Sequence, residues 1–124
     1  MMNYCENERY NKMPKKQKKI TRALSIRQPY AEQILIGEKR IEYRTIPTNI
    51  RERVYIYASL KHAPCGEFNI NELQLPYGMI VGSVEIIGCD QNGFEYAWYL
   101  ANPKRLKKPM KPKGKPQPVW FNPF

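Results

Sequence analysis

Apolar and polar residues alternate along residues 24–27, 53–59 and 94–100, and this period of two predicts three half-buried strands. Residues 79–89 are apolar at nearly every position, which predicts a central strand covered on both faces. Gly82 interrupts that run and indicates a bulge or a close approach of another backbone. The Asp-Gln-Asn-Gly sequence at residues 90–93 predicts a hairpin turn between the last two strands.

One short helix is predicted after the first strand. Pro29 suits the first turn of a helix, where its missing N–H is not needed. Gly37 stands where a helix ends on a left-handed residue. Between these two residues, four apolar side chains fall on one helical face: Tyr30, Ala31, Ile34 and Leu35.

The pattern of residues after the helix predicts a strand, and its charged residues share one face. Arg40, Glu42 and Arg44 lie on that face, and the two residues between them lie on the other. We expect these three charges to leave the sheet together, close to the end of the helix. Lys39 has the opposite parity, so it joins Glu42 and Arg44 only if the chain is still turning after Gly37, which we assume.

The segment from residue 61 to residue 77 carries little pattern beyond one predicted helical turn over residues 71–75. His62 and Cys65 are candidate metal ligands, but two ligands without a second pair make a poor zinc site. We therefore predict no metal site, and the sequence indicates no cofactor.

The length of 124 residues points to one domain, and the formal charge of +10 lies mainly at the two ends of the chain. Residues 1–22 hold seven Lys or Arg and two Glu, while residues 103–124 hold seven Lys or Arg and no acid. We interpret residues 1–19 as a mobile basic arm and residues 20–124 as the folded domain. Basic ends of this kind either attract a polyanion or only increase solubility.

The three cysteines, Cys5, Cys65 and Cys89, are irregularly spaced, which predicts reduced thiols rather than a disulfide framework. The first residues hold no apolar leader, and no apolar run is long enough to span a membrane. We therefore expect a cytoplasmic protein that has no membrane partner.

The composition of residues 101–124 predicts a disordered basic tail, because six of the eleven prolines lie there. Its last residues argue against that prediction. Val119, Trp120, Phe121 and Phe124 are too apolar to remain in water, so the end of the chain is expected to dock on the core. Many short strands, one clear helix and Gly/Pro turns together indicate an α+β fold built around a small barrel.

An ordered set of motifs resembles the ASCH domain, a branch of the PUA-like superfamily, over about residues 22–121. The second motif has the family's signature spacing, G-x-K-x-x-E-x-R. Tyr57 and Glu52 depart from the family pattern, since many members carry His and Gly there. The motifs are Leu24-Ser25-Ile26-Arg27-Gln28-Pro29-Tyr30-Ala31, Gly37-x-Lys39-x-x-Glu42-x-Arg44, the strand at 53–59, Gly78-Met79-Ile80-Val81-Gly82, and Trp98-x-Leu100-x-Asn102-Pro103 with Pro109, Lys113-Gly114 and Trp120.

The resemblance implies a small PUA-like β-barrel with one or two flanking helices, in which residues 103–121 are ordered. It also implies a cleft beside the first helix and a function in binding RNA, either a single strand or a modified nucleotide. The residues expected to contact that ligand are Ser25, Arg27, Gln28, Tyr30, Lys39, Glu42, Arg44, Tyr57, Ser59 and Lys61.

The charged residues of the signature suit such a ligand. Arg44 offers a planar fork of donors for a phosphate or a base edge. Lys39 offers a point charge near the helix end, and Glu42 can accept from base amino groups or hold the two cations in place. The structural alternative is a salt-bridge cluster in which these three residues only pin the helix to the strand.

Aromatic residues supply candidate stacking surfaces for unpaired bases, namely Tyr30, Tyr43, Tyr57 and Trp98. Aromatic residues at a period of two more often pack a core, and we favour the core for Trp98.

A second hypothesis is a small hydrolase that acts on a modified nucleoside or on RNA, since such activities have been proposed within the family. Lys39 would be the base or nucleophile, and Glu42 or Glu85 the acid. Two points weigh against it. The hydrolase-like branch tends to carry Thr at the position of Glu42, and a neighbouring carboxylate favours a charged lysine, which is a poor base. A third hypothesis is a protein-interaction module whose basic ends recruit acidic partners.

Overall fold

The computed structural model describes residues 19–62 and 74–124, in which one helix and six strands form. All six strands belong to one sheet in the order β2-β5-β4-β3-β1-β6, curled into a half-barrel. This architecture confirms the small barrel-like α+β fold. The elements are β1 (Ala23–Gln28), α1 (Tyr30–Leu35), β2 (Ile41–Arg44), β3 (Arg53–His62), β4 (Met79–Asn92), β5 (Glu95–Met110) and β6 (Trp120–Phe121).

The connection between β1 and β3 explains where α1 and β2 lie. These two strands pair in parallel, whereas the other neighbouring strands pair antiparallel. A parallel pair requires a long crossover connection, and here the crossover contains α1 and β2. Because β2 then pairs with β5, it comes to lie at the opposite end of the strand order from β1 and β6.

Two apolar clusters hold the sheet together. The larger contains Leu24, Ile56 and the fully buried Trp98, whose Nε1 donates to the carbonyl oxygen of Ile46 at 3.0 Å. The smaller cluster includes Tyr57 and the C-terminal Phe121, with ring centroids 5.1 Å apart. The indole of Trp98 therefore belongs to the core, as favoured from the sequence.

The helix packs against the sheet close to Gly82. A Cβ atom at Gly82 would collide with the carbonyl oxygen of Lys104 and with the side chain of Leu35. The predicted close approach of backbones at this glycine is thus confirmed. Gly37 follows the helix with a φ of +83°, the left-handed conformation expected at that position.

The alternation predicted for β2 is correct, but its charged face points the other way. Glu42 is only 7% exposed and Tyr43 is 45% exposed, so the charged face points into the half-barrel. Arg40 precedes the strand and is exposed, and it does not join Glu42 and Arg44. The expectation that all three charges leave the sheet together was wrong, because the interior supplies ion-pair partners for a carboxylate that would otherwise be costly to bury.

The C-terminal residues are ordered, which contradicts the prediction from composition and confirms the one from the family resemblance. β5 continues to Met110, and β6 pairs antiparallel with β1. Leu106 and Phe121 pack in the smaller apolar cluster, so their burial outweighs the proline-rich composition. Phe94, predicted to begin the alternating strand, instead lies fully exposed in the preceding turn.

Some predictions fall on residues that the structure does not describe. The basic arm lies outside the described residues except for Lys19, and so do Cys65 and most of the predicted helical turn at 71–75. These remain predictions.

Candidate functional site

Lys39, Glu42 and Arg44 meet in one ion-pair cluster at the open side of the half-barrel. Lys39 Nζ lies 3.3 Å from Glu42 Oε1, and Arg44 Nη2 lies 2.8 Å from Glu42 Oε2. The side chain of Glu42 is 9% exposed, while those of Lys39 and Arg44 are 18% and 19% exposed. Two cations thus share one buried carboxylate, and the cluster carries a net positive charge.

Lys39 reaches the cluster because the chain is still turning after the helix. The backbone N–H groups of Glu38 and Lys39 both donate to the carbonyl oxygen of Gln33, each at 3.0 Å. Lys39 therefore joins Glu42 and Arg44 despite its opposite strand parity, as assumed from the sequence. The ammonium of Lys39 also lies 5.1 Å from the centroid of the Tyr30 ring, within the range of a cation–π interaction.

Arg44 links the two ends of the sheet through its side chain. Its Nη2 donates to the carbonyl oxygen of Ser25 on β1 at 2.8 Å, close to where β6 ends its pairing with β1. The guanidinium carbon lies 5.7 Å from the centroid of the buried Trp98 ring. Arg44 is therefore held by a carboxylate, a carbonyl and an aromatic face, which fixes the orientation of its planar fork.

One nitrogen of Arg44 forms no hydrogen bond within the described part of the chain. Nε and Nη2 donate to Glu42 and Ser25, whereas Nη1 has no acceptor among the described residues. The side chain of Arg44 is 19% exposed, so part of it remains in contact with solvent.

Arg44 lines a cavity of about 360 Å³ that we call the cleft. Arg27 and Lys61 add two further cations, both exposed, and none of the described residues that line this cavity is acidic. Such a lining attracts anions. The cleft is lined by Ser25, Arg27, Arg44, Tyr57, Ser59, Leu60, Lys61 and residues 116–119.

Tyr57 forms part of the cleft wall rather than a free stacking platform. Its residue is 4% exposed, and its ring packs edge-on against Phe121. Burial raises the pKa of the Tyr57 phenol above its ordinary value, so the hydroxyl stays neutral at neutral pH. A neutral hydroxyl can donate a hydrogen bond to an anion.

Comparison with known proteins identifies the family. A family model for the ASCH domain matches residues 24–110, which is more than half of the chain. The chain belongs to the ASCH domain family. This family is generally linked to RNA binding. A search of curated proteins finds no significant match.

Only one of the three charged ASCH signature residues lines the cleft. Arg44 lines it directly, whereas Glu42 pairs with Arg44 outside the lining and Lys39 lines a different cavity of about 320 Å³. The signature spacing thus places one arginine in the cleft and joins the other two residues to it through ion pairs.

Six of the ten residues predicted to bind nucleic acid line the cleft: Ser25, Arg27, Arg44, Tyr57, Ser59 and Lys61. The other four do not. Lys39 and Glu42 lie in the cluster behind Arg44, and Tyr30 lies beside Lys39. Gln28 is 1% exposed and has a structural role, since its Oε1 accepts from the Glu32 N–H at 2.9 Å at the start of α1.

Glu85, the alternative catalytic acid, lies in a different place. Its carboxylate accepts from Arg53 Nη2 at 3.3 Å and from Asn102 Nδ2 at 3.2 Å. It lines a separate cavity, and neither Lys39 nor Arg44 lines that cavity. The structure does not bring Glu85 together with the signature residues.

The far wall of the cleft was missed by sequence reasoning. It consists of residues 116–119, and Ser25 Oγ donates to the carbonyl oxygen of Gln117 at 2.6 Å. The apolar residues around Trp120 predicted that the chain end docks, but gave no sign of which surface it covers. This wall also lies beyond the residues that match the family model.

The described residues contain neither a metal-binding cluster nor a helix suited to a membrane. No group of three or more His, Cys, Asp or Glu side chains in residues 19–62 and 74–124 is arranged to hold a metal ion. Within the same residues, no helix has the length and apolar character needed to cross a membrane.

Proposed function

We propose that the cleft binds a nucleotide unit of single-stranded or modified RNA through its phosphate, with Arg44 as the anchor. The observation that carries this proposal is the position of Arg44 in the cleft lining, where bonds to Glu42 and Ser25 fix its guanidinium and Nη1 has no acceptor among the described residues. An arginine fixed in this way has already lost its side-chain freedom, so it binds phosphate at a smaller entropic cost.

The charge of the cleft supports an anionic ligand. Arg27, Arg44 and Lys61 all line the cleft, and no acidic residue lines it within the described part of the chain. The Tyr57 hydroxyl and the Ser59 hydroxyl add neutral polar groups at the same wall. Three cations around one cavity favour a phosphate over an uncharged nucleoside.

The size of the cleft supports a ligand no larger than one or two nucleotides inside it. Pockets for small ligands usually measure about 300–1,000 Å³. The value of about 360 Å³ lies at the lower end of that range.

The hydrolase hypothesis receives less support from the geometry. Both carboxylate oxygens of Glu42 are engaged, one with Lys39 and one with Arg44. An ammonium in an ion pair has no lone pair to act as base or nucleophile. Binding therefore explains the cluster better than proton transfer does.

We further propose that the half-barrel belongs to the PUA-like superfamily. The position of α1 between β1 and β2 is what the resemblance to that superfamily implies. The cavity beside α1, however, is the one lined by Ile34 and Lys39, and no residue of α1 lines the cleft. The superposition of an experimental structure of this chain on PUA-like barrels tests this proposal, and a different strand order in the superfamily would contradict it.

Removal of Arg44 tests the proposed function. We expect Arg44→Ala to weaken binding of a short single-stranded RNA by at least about tenfold, since each charge-assisted contact contributes about 1.5–3 kcal/mol. Arg44→Lys should recover only part of the loss, because an ammonium lacks the planar fork. The measurement is fluorescence anisotropy of a labelled oligoribonucleotide at several salt concentrations.

Arg53→Ala is the matched control, because Arg53 is a similarly placed arginine that pairs with Glu85 outside the cleft. Its RNA affinity should stay within about twofold of wild type, since no phosphate contact is lost. Equal affinities for the wild type and the Arg44→Ala variant would contradict the cleft proposal. RNA-independent capture of an acidic protein partner, which survives nuclease treatment, would favour the interaction-module hypothesis instead.

A further inference from the structure

The second half of β5 carries a dense row of lysines that the cleft does not use. Residues 104–115 contain six lysines and one arginine, and no acidic residue follows Glu95 in the chain. The arginine, Arg105, is neutralised by Glu32, with contacts of 2.8 and 2.7 Å. We call the lysines the basic ribbon: Lys104, Lys107, Lys108, Lys111, Lys113 and Lys115.

The ribbon lysines are exposed, and none pairs with a carboxylate of the described residues. Each of the six is exposed, and none forms an ion pair with a carboxylate in the described part of the chain. Like charges held close together repel one another, which costs stability unless an anion neutralises them. A fold that keeps three of them on β5 and the other three just after it therefore presents a ready surface for a polyanion.

A large bulge in β5 contains two of these lysines. Arg105 pairs with Gly82 and Met110 pairs with Ile80, so residues 106–109 fall opposite Val81 alone. Leu106 anchors the bulge in the smaller apolar cluster, and Pro109 has no N–H to return to the ladder. Bulges change the direction of side chains, and the exposed residues of this bulge include Lys107 and Lys108.

The ribbon leads directly into the cleft. Met110 pairs with Ile80, and Ile80 pairs with the cleft residue Tyr57, so the end of β5 lies about 10 Å from Tyr57 at the usual strand spacing. The backbone N–H groups of Lys113 and Gly114 then donate to the carbonyl oxygen of Pro123 at 2.7 and 2.9 Å. After this anchored turn, the chain becomes the cleft wall at residues 116–119.

We propose that the basic ribbon binds the phosphates of the RNA strand that flanks the nucleotide in the cleft. The ligand is then an oligonucleotide of several residues rather than a free nucleotide. This inference rests on the proposed function of the cleft and extends it to a second surface with a separate role. The cleft selects the unit that is bound, and the ribbon supplies length-dependent affinity through the backbone.

Counterion release gives the size of the effect. For a single strand, the slope of log K against log salt is about −0.7 for each phosphate contact. At about 0.1 M salt, each lost contact therefore lowers the association constant by up to about fivefold. We expect Lys107→Gln/Lys108→Gln to weaken binding of an oligonucleotide by roughly 10–25-fold and to reduce the slope by about 1.4.

The experiment compares an oligonucleotide of about 12 residues with one of about 3 residues, since single-strand-binding barrels cover roughly 4–16 nucleotides. The ribbon variant should lose affinity for the long strand and keep its affinity for the short one. Lys107→Arg/Lys108→Arg keeps the charge and should keep the affinity. Thermal unfolding checks that each variant is folded.

Lys19→Gln/Arg51→Gln is the matched control, because it removes two exposed cations that line a different cavity. Its affinity for the long strand should remain within about twofold of wild type, since nonspecific long-range attraction is largely screened.

The outcomes separate the two proposals. If the ribbon variant binds the long strand as the control does, while Arg44→Ala weakens binding, the ribbon proposal fails and the cleft proposal stands. If the ribbon variant weakens binding and Arg44→Ala does not, the cleft proposal fails. The proposal that one RNA strand contacts both the cleft and the ribbon then fails as well. If polyglutamate of similar length competes as well as RNA does, the ribbon is a general polyanion surface and the proposal is overturned.

Discussion

The cleft and the cavity around Glu85 both contain an arginine paired with a glutamate, yet they differ in charge and in free donors. The cavity around Glu85, which we call the Glu85 groove, measures about 670 Å³, so it is larger than the cleft at about 360 Å³. In the groove, Arg53 donates to Ser83, Glu85 and Asn102, and Glu52 adds a second carboxylate.

The cleft and the Glu85 groove are distinguished by the balance of their charges rather than by their volumes. The groove sets two carboxylates against its cations, whereas the described lining of the cleft has three cations and no acid. Glu42, the carboxylate that pairs with Arg44, is not part of that lining. An anion entering the cleft therefore meets cations without a facing carboxylate among the described residues, and one entering the groove meets carboxylates.

The largest expected difference is in stability, on removal of each glutamate. Glu42→Ala leaves Lys39 and Arg44 close together and mostly buried without a carboxylate, which should cost about 3 kcal/mol of unfolding free energy. Glu85→Ala removes a side chain that is 40% exposed, and it should cost less than about 1 kcal/mol. Urea unfolding measures both. Similar losses for the two variants would show that the clusters are equivalent.

A serine in each site provides a smaller, matched test. Ser25 Oγ donates to the Gln117 carbonyl at the cleft wall, and Ser83 Oγ accepts from Arg53 in the groove. Each serine-to-alanine variant should lose about 1 kcal/mol of stability. Only Ser25→Ala should also weaken RNA binding, by a few-fold, because it loosens residues 116–119. Anisotropy titrations of both variants decide the point, and an RNA effect in Ser83→Ala would break the distinction.

The smallest expected effect is the pH dependence caused by Tyr57. Burial raises its pKa in the folded protein, so its contribution to stability is fully present below the ordinary tyrosine pKa of about 10. That contribution is lost as the pH rises through the higher, folded-state pKa, since only the unfolded chain ionises readily. The wild type should therefore lose more stability than Tyr57→Phe above about pH 10. Parallel stability curves would contradict this account.

Much of the fold was predictable from local patterns. The period-two segments became strands. The hairpin predicted at residues 90–93 does join β4 to β5, but its turn lies at Gly93 and Phe94, because residues 90–92 still pair with β5. The order of residues 103–121 followed from the family resemblance, not from composition. Composition counted the prolines and lysines of the tail, but it did not register that Leu106 and Phe121 share one apolar cluster with Tyr57.

The site was predictable only in part, because the rest of it depends on tertiary contacts. Spacing placed Glu42 and Arg44 on one face, but the direction of that face depends on the curl of the whole sheet. The residues that lie across the cleft from Arg44 are set by a contact between β1 and the chain end. The hydrogen bond from Ser25 to Gln117 that forms this contact joins residues more than ninety positions apart. No local pattern encodes such a partner.

The measurement that tests the central claim most directly is an NMR titration of the labelled protein with a short single-stranded RNA. We expect chemical-shift changes at the side chain of Arg44 and at the backbone amides of Ser25, Ser59, Lys61 and Gln117. The amides of Arg51 and Glu85 should be unchanged. Shift changes centred on the Glu85 groove, with the cleft amides unmoved, would contradict it.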